Sequence, residues 1–514
     1  MPSAASAGGP GVALRRAPGD DSPRRSLVLA GGGMRVAYQA GVLRALEEAG
    51  LTFDHADGTS GGTMNLAMLL SGLSPAQMCE RWRSLRVGDF VSFMPVAEYL
   101  RGDGALALGD ADGIVEHVFP HLGIDVERIR AAKGLMGTFN VCNFGTKTNR
   151  AVPNGEIELG LLVAGISLPA FMPPVRVGGD DYVDSVWIKD ANLLEAVRRG
   201  AEDIWLVWCI GNCARYRRGA FNQYVHMIEI SANGALFAEL EQIADLNRRI
   251  AAGGPLGDAA SGRRRPIRVK VIAPEYPLPL DSSYYLGQID GATLVAQGYA
   301  DAWRRLSRRD VDDALSEQAT RMRTPESTLA WRDRSRGRLE GAGGAGAQLE
   351  LDLSVFVYEL APFLADVEHR APLVGSIAVD GGPLSLLRDA SFRCVHDPDT
   401  HERRWIHEAS FLDARTARWR HLIVERRSAA ASRTLAGDLS TLFVQIRDGA
   451  GADALVVSEG VLRTSPKDVK DLCCSLRAIE PDSPAAALGA CQRLGRLLFD
   501  EFYAASTRPW WKFW

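Results

Sequence analysis

Two hydrophobic rhythms divide this chain. From Ser26 to about Thr320, short continuous apolar runs alternate with segments in which apolar residues recur every three or four positions. A run such as Ser26-Leu-Val-Leu-Ala30, ending in three glycines, reads as a buried parallel strand entering a tight turn. Val42, Leu43, Leu46 and Ala49 then recur at helical spacing, with Gly50 as a stop. The unit repeats at once, with Phe53–Ala56 strand-like, Gly58–Gly62 as the turn and Met64–Leu70 helical. Further strands are predicted at Thr138–Asn143, Tyr182–Val183, Ile204–Ile210 and Arg268–Ile272, and helices at Asn192–Arg199 and Ala232–Ile250. Such alternation predicts an α/β domain over residues 25–320, a mostly parallel sheet with helices on both faces.

From Gln348 onward strict alternation takes over, in Leu349–Val357, Gly375–Val379, Ser391–Val395, Arg404–Ile406, Trp419–Val424, Thr441–Ile446 and Leu455–Leu462. This predicts a β-rich C-terminal domain over 348–505, an antiparallel sheet closed by one helix from about Pro484 to Tyr503. Residues 1–24, rich in Ala, Gly, Pro and Arg, read as a disordered tail, and the basic, Gly-rich stretch 321–347 as a linker. Residues 506–514 form an aromatic tail ending Pro509-Trp-Trp-Lys-Phe-Trp514.

Composition narrows the classes of function. Of 514 residues, 46% are hydrophobic and 24% charged, a globular balance that leaves room for two cores. Lys and Arg number 59 against 63 Asp and Glu, so no global field recruits nucleic acid. The N-terminal stretch has no apolar core of signal-peptide length, and no run approaches the roughly 18 apolar residues of a spanning helix. The eight cysteines show no CxxC pair and read as reduced thiols, so a cytoplasmic protein is expected.

Gly58-Thr-Ser-Gly-Gly62 fits G-x-S-x-G where a strand gives way to a helix, the context of a nucleophile elbow. Small neighbours let Ser60 occupy a strained turn that pushes its hydroxyl clear, and the helix that follows turns its positive end toward it. By itself the pentapeptide is more often a glycine turn with an incidental serine. Gly31-Gly32-Gly33-Met34-Arg35 joins another strand to a helix, and consecutive glycines leave backbone amides free for an oxyanion. A phosphate loop fails on detail, because Val36 stands where G-x-G-x-x-G needs glycine and no Gly-Lys pair follows.

Taken with Gly165-Ile-Ser-Leu-Pro-Ala-Phe-Met-Pro-Pro-Val175 and Tyr182-Val-Asp-Ser-Val186, these turns make residues 25–310 resemble the patatin-like phospholipase family. The resemblance implies a serine lipid acyl hydrolase without cofactor or metal. It places Gly31, Gly32, Gly33 and Arg35 on the oxyanion loop, Ser60 as nucleophile and Asp184 as the base of a Ser-Asp dyad, acting on a phospholipid or other acyl ester. Two departures from the family pattern are Val36, where glycine is common, and Ser185-Val186 after the aspartate. If they block turnover, the chain is a non-catalytic lipid-binding or membrane-recruitment protein; acyl transfer to an acceptor other than water is a third reading. A carboxylate of ordinary pKa, about 3.9, is a weak base, so the site must raise it or lean on oxyanion donors.

A histidine triad is the rival mechanism, and within the first domain only His226 follows Asp184. Its flanks mark it as an ordinary helix residue, and His55 reads as structural. His396, His401, His407 and His421, with Asp397, Asp399 and Glu402 nearby, match no compact zinc spacing. Glu368–Asp380 through Thr441–Val444 resembles a β-rich accessory domain of some bacterial sterol-oxidising flavoenzymes and lipases, which implies a role in handling apolar ligands or positioning the enzyme. The terminal aromatic cluster is a candidate for peripheral membrane contact.

Overall fold

Burial explains why the first strands are short and wholly apolar. In the computed structural model, residues 12–17, 19, 22–90, 107–253, 265–285, 287–308, 312–313, 315–325, 328–340, 346–396, 403–428 and 439–500 are described. They divide into two units, Met1–Thr324 and Pro325–Trp514. In the first, β1 (Arg25–Leu29), β2 (His55–Gly58), β3 (Met136–Asn143), β4 (Thr148–Pro153), β5 (Val175–Val177), β6 (Asp180–Asp184), β7 (Asp203–Val207) and β8 (Arg268–Ile272) share one sheet. Its order is β5-β6-β3-β2-β1-β7-β8, with β4 also paired to β3. The five strands from β3 to β8 run parallel, while β4, β5 and β6 add an antiparallel edge.

Both faces of the parallel core are covered. Val28, Ala30, Leu206 and Val271 pack with Leu193 and Ala196 of one helix and Leu236 and Leu240 of another, and the alternate residues Leu27 and Leu29 are fully buried too. The principal helices are α1 (Ala37–Glu48), α2 (Gly61–Leu70), α3 (Leu193–Arg198), α4 (Ala220–Ala251) and α5 (Gly291–Leu306). Helices α1 and α5 approach until backbone meets backbone: a Cβ added at Gly41 would lie 1.8 Å from the Val295 carbonyl oxygen, and one at Gly298 1.8 Å from that of Tyr38. Alanine gains about 1 kcal/mol of helix propensity over glycine, but pushing two helices apart costs about 1–3 kcal/mol or more. Gly298→Ala is therefore expected to lower the thermal midpoint, and a melt in which it rises would show that the helices separate freely.

The expected tail differs in part. Val12 and Leu14 are buried, Arg15 bridges Phe53, and Arg16 pairs with Asp54 at 2.9 Å. Low complexity hid these contacts because each depends on a partner some 38 residues away rather than on local periodicity.

The second unit is a ring of eight antiparallel strands: β9 (Thr328–Glu340), β10 (Gln348–Val357), β11 (Ala371–Val379), β12 (Ser385–His396), β13 (Arg403–Asp413), β14 (Arg418–Ser428), β15 (Thr441–Asp448) and β16 (Val456–Arg463). Each pairs with the next, and β16 returns to β9, so the sheet closes on itself as a barrel and leaves no open edge in the ring. A ninth strand, β17 (Arg477–Ile479), caps the start of β9. Helices α6 (Pro466–Cys474) and α7 (Pro484–Gly495) follow the last ring strand and send Leu472 and Leu494 into the core. The alternating residues Leu349, Leu351, Leu353 and Val355 of β10 and Trp405 and Phe411 of β13 fill it.

The expected linker is corrected here, because residues 328–340 are strand β9. Its outward arginines are matched across the ladder, Arg332 to Asp352 and Arg336 to Glu350, while Trp331, Asp333, Ser335 and Leu339 are buried. Polar residues on both faces mimic a solvated segment, and only the cross-strand partners reveal the strand. The glycine run at 341–345 and the aromatic tail at 506–514 lie outside the described residues, as do His401, Asp397, Asp399 and Glu402. His407 is buried in the barrel, and His421 Nε2 lies 3.0 Å from Glu408 Oε1. No group of three or more metal-ligating side chains occurs among the described residues, and no described helix is long and apolar enough to cross a membrane.

Candidate active site

Strand register brings the motifs to one edge. Leu29 is level with Gly58, and Gly58 with Phe139, in the parallel ladders of β1, β2 and β3. Two residues further on come Gly31, Ser60 and Val141, and Val141 pairs with Asp184, which β6 delivers from the opposite direction. Three of the motifs, far apart in sequence, thus converge at the carboxyl ends of the parallel strands, where α/β folds build their sites.

Ser60 sits at φ 51° and ψ −128°, a conformation that a residue with a side chain adopts only under constraint. The constraint is visible on both sides. Thr59 donates its amide to Leu29 O at 3.1 Å, and Gly62 and Thr63 close back onto Thr59 and Ser60 at 2.8 and 2.9 Å. A Cβ at Gly62 would lie 2.1 Å from Leu29 O, and one at Gly61 2.6 Å from Gly33 O, so only glycine lets α2 start this close to β1 and to the glycine turn. The α2 amide end faces Ser60, and the Gly61 amide donates to no described residue.

Asp184 is buried, its backbone amide held by Ser167 O at 3.0 Å and its Oδ1 accepting from the Val186 amide at 2.9 Å. Its Oδ2 has no partner of hydrogen-bond geometry among the described residues. Burial pushes the carboxyl up to about 7, opposed by the adjacent Ser60 hydroxyl and the Val186 amide. Serine and aspartate are therefore neighbours, and desolvation is the larger influence on the carboxyl.

The glycine turn differs from its expected form at Gly31. The Gly31 amide donates to Asp190 Oδ1 at 3.0 Å, so it is not available as an oxyanion donor, while the Gly32 and Gly33 amides donate to no described residue. Arg35, expected on the same loop, turns inward and is buried, its Nε donating to Gly32 O at 3.0 Å. Because a trans peptide points its two polar groups in opposite directions, holding the Gly32 carbonyl aims the Gly33 N–H the other way, away from Arg35. Arg35 thus shapes the turn.

Several residues the sequence reading passed over hold the site. Asp190 is one. Asn140 donates to Asp57 Oδ1 at 2.6 Å and Thr59 Oγ1 at 3.0 Å, and accepts from Asn149 and Asn192 at 2.9 and 2.8 Å. Ser185 joins the network by donating to Asn149 Oδ1 at 2.5 Å, which accounts for a serine after Asp184. Val36, the other departure, packs its methyls against Gly61. The available signal was polar Thr138 and Asn140 alternating inside a predicted buried strand, which requires a hidden partner. His55 bridges Ser26 and Thr138 at 2.7 and 2.8 Å, and burial, aided by Arg199, lowers it to about 3, so it is neutral and structural. His226 accepts from the Arg217 amide at 2.9 Å, lies 3.3 Å from Glu229 and stacks on Tyr216, so its nitrogens are engaged near its own helix start.

Aromatic side chains stand beside the pair. Tyr224 of α4 meets Phe171 and Trp187 edge-on, with centroids 5.2 and 5.7 Å apart, and donates to Pro169 O at 2.5 Å. Burial and then the Asp184 charge push its hydroxyl up to about 12.

Among known proteins, the family model described as patatin-like phospholipase matches residues 27–197. The crystal structure of the type III effector protein ExoU is 13% identical over 56% of this chain and 54% of that one, with a TM-score of 0.22. Full-length ExoU with SpcU, from the type III secretion system of Pseudomonas aeruginosa, is 16% identical over 45% of this chain and 60% of that one, with a TM-score of 0.17. The chain thus covers little more than half the length of these structures, and likenesses at such scores carry no argument. No curated protein matches the sequence. The family match spans the glycine turn, the elbow, the Gly165–Val175 segment and Asp184, and residues 27–197 are a patatin-like phospholipase domain.

Proposed function

We propose that this chain is a serine lipid acyl hydrolase working through a Ser60–Asp184 dyad. The observation that carries the reading is the strained Ser60 at the head of α2, beside a buried carboxyl whose Oδ2 lacks a protein partner. Ser60 Oγ attacks the ester carbonyl as Asp184 takes its proton, and the oxyanion forms against the Gly32, Gly33 and Gly61 amides. The alcohol leaves with that proton. Water, activated by the same carboxylate, then attacks the acyl-enzyme and frees the fatty acid. Phe171, Trp187 and Tyr224 supply an apolar wall suited to an acyl chain. Water as acceptor distinguishes this reaction from acyl transfer, and free fatty acid as the sole acyl product separates the two.

The test is covalent capture. A fluorophosphonate is expected to label Ser60 and no other serine, located by peptide mass spectrometry, and a folded protein that stays unlabelled would favour the non-catalytic lipid-binding reading. A pH dependence follows from the base. The dyad needs Asp184 ionised, so with its carboxyl raised to about 7, kcat/KM on a soluble ester is expected to fall tenfold per unit as pH drops below that value. A flat profile down to about pH 5 would show that Asp184 is not raised, since an ordinary carboxylate is still ionised there.

A further inference from the structure

The carboxyl at position 190 has no part in the reaction as written, yet it is built into the site. It is completely buried. Oδ1 accepts the Gly31 amide across 159 residues of sequence, and Oδ2 has no partner among the described residues. A Cβ at Gly31 would lie 2.2 Å from Asp190 Oδ1 and 2.9 Å from Ser60 Cβ, so the glycine is clasped between the two side chains. The segment bearing Asp190 is itself pinned, since Lys189 pairs with Glu239 of α4 and Ser231 donates to Trp187 O at 2.5 Å.

We propose that Asp190 is a positioning residue that keeps the glycine turn competent only while it carries its proton, so that its ionisation shuts the site on the alkaline side. The inference rests on the hydrolase reading above. In the neutral acid, the carbonyl oxygen Oδ1 accepts from Gly31 and Oδ2 bears the proton. The turn is then held with Gly32 and Gly33 facing outward and no net charge behind it. Losing that proton leaves an anion one residue from the amides on which the negative oxyanion must form, in a medium where like charges interact strongly.

The groups facing Asp190 support this. Burial opposes its ionisation, as does Asp184, while the Gly31 amide and Arg35 favour it without prevailing. Arg35 Nε is committed to Gly32 O rather than to the carboxyl. The Cys209 thiol, pushed up to about 12 chiefly by burial, brings no charge. The Ser60 hydroxyl and the Val186 amide favour the Asp184 anion, whose charge then holds the proton on Asp190, so the pair ionises in two steps.

The experiment is kcat/KM against pH on a soluble p-nitrophenyl ester for wild type, Asp190→Ala and Asp190→Asn, with infrared spectra of Ser60→Ala and Ser60→Ala/Asp190→Asn. Asp190→Ala removes the Gly31 acceptor and is expected to lower kcat by at least about tenfold with KM little changed. Asp190→Asn keeps a neutral acceptor and is expected to restore kcat and to abolish the alkaline limb while leaving the acid limb. An alkaline limb that persists in Asp190→Asn, or a wild-type kcat in Asp190→Ala, overturns the proposal. If Asp190→Ala fails to fold, the Asn profile decides alone. In the difference spectrum of Ser60→Ala minus Ser60→Ala/Asp190→Asn, where the carboxyls of Asp184 and Asp57, both raised to about 7, are common to the two proteins, a protonated-carboxyl band present near pH 7 and lost toward pH 9 is expected; its absence overturns the proposal. Because that band needs no turnover, a wild type that hydrolyses nothing sinks the hydrolase reading while the protonation of Asp190 is still decided.

Discussion

Ser60→Ala and Asp184→Asn are each expected to lower kcat/KM on a soluble ester by roughly 10⁴- to 10⁶-fold, the range found when one member of a hydrolase's reacting set is removed. Neither substitution should unfold the protein. Alanine occupies the same strained backbone, and asparagine keeps an oxygen for the Val186 amide, which now bonds Oδ1 at 2.9 Å. What asparagine lacks is a basic carboxylate beside Ser60. His226→Ala supplies the contrast: its nitrogens serve Arg217 and Glu229, so activity should remain within a few-fold of wild type. Parallel ester assays on proteins matched by circular dichroism decide the matter. Substantial turnover by Ser60→Ala would transfer the chemistry elsewhere, and loss on His226→Ala with full retention in Asp184→Asn would restore the histidine triad.

The second large effect belongs to the barrel. Arg426 and Asp333 face each other in its interior, 3% and 1% exposed, with Nη2 2.7 and 2.8 Å from the two carboxylate oxygens. Ser335 donates to Asp333 Oδ1 at 2.9 Å, and His407, lowered to about 4 by burial, sits neutral nearby. Burial works against the Asp333 anion, but the Arg426 guanidinium holds the carboxyl below its usual range. Arg426→Met strands that anion in an apolar core and is expected to cost about 3–5 kcal/mol. Asp333→Leu combined with Arg426→Met removes both charges, and should recover most of the loss, because the gross attraction largely offsets two desolvation penalties. Denaturant unfolding of the full chain reads both. If Arg426→Met costs less than about 1 kcal/mol, water must reach the pair. The sign with pH is that of a depressed acid: the contribution is complete above the ordinary carboxylate range and is lost as pH falls through the lowered value.

How much of this was legible beforehand follows from the range of each interaction. Glycine turns, the serine between them and the change from helical spacing to alternation are local patterns, and they announced an α/β half, an elbow at Ser60 and a β-rich half. Short-range sterics fix such features, since only glycine tolerates the close approaches at positions 61 and 62. Asp184 was legible only through its motif, because a lone aspartate at a strand end carries no local mark.

The tertiary structure alone decided the rest, where a residue's state depends on a partner distant in sequence. Which glycine amides remain free was settled by Asp190, which takes Gly31 and leaves Gly32 and Gly33. The stretch at 328–340 became a strand because Asp352, Glu350 and Arg426 sit opposite its charges, turning an apparent linker into the seam that closes the barrel. The basicity of Asp184 likewise comes from desolvation, a property of the packed neighbourhood and of no residue within it. Sequence thus singled out the proposed reacting groups, while packing set their protonation and their free hydrogen-bonding capacity, because both are sums over neighbours that the chain order does not bring together.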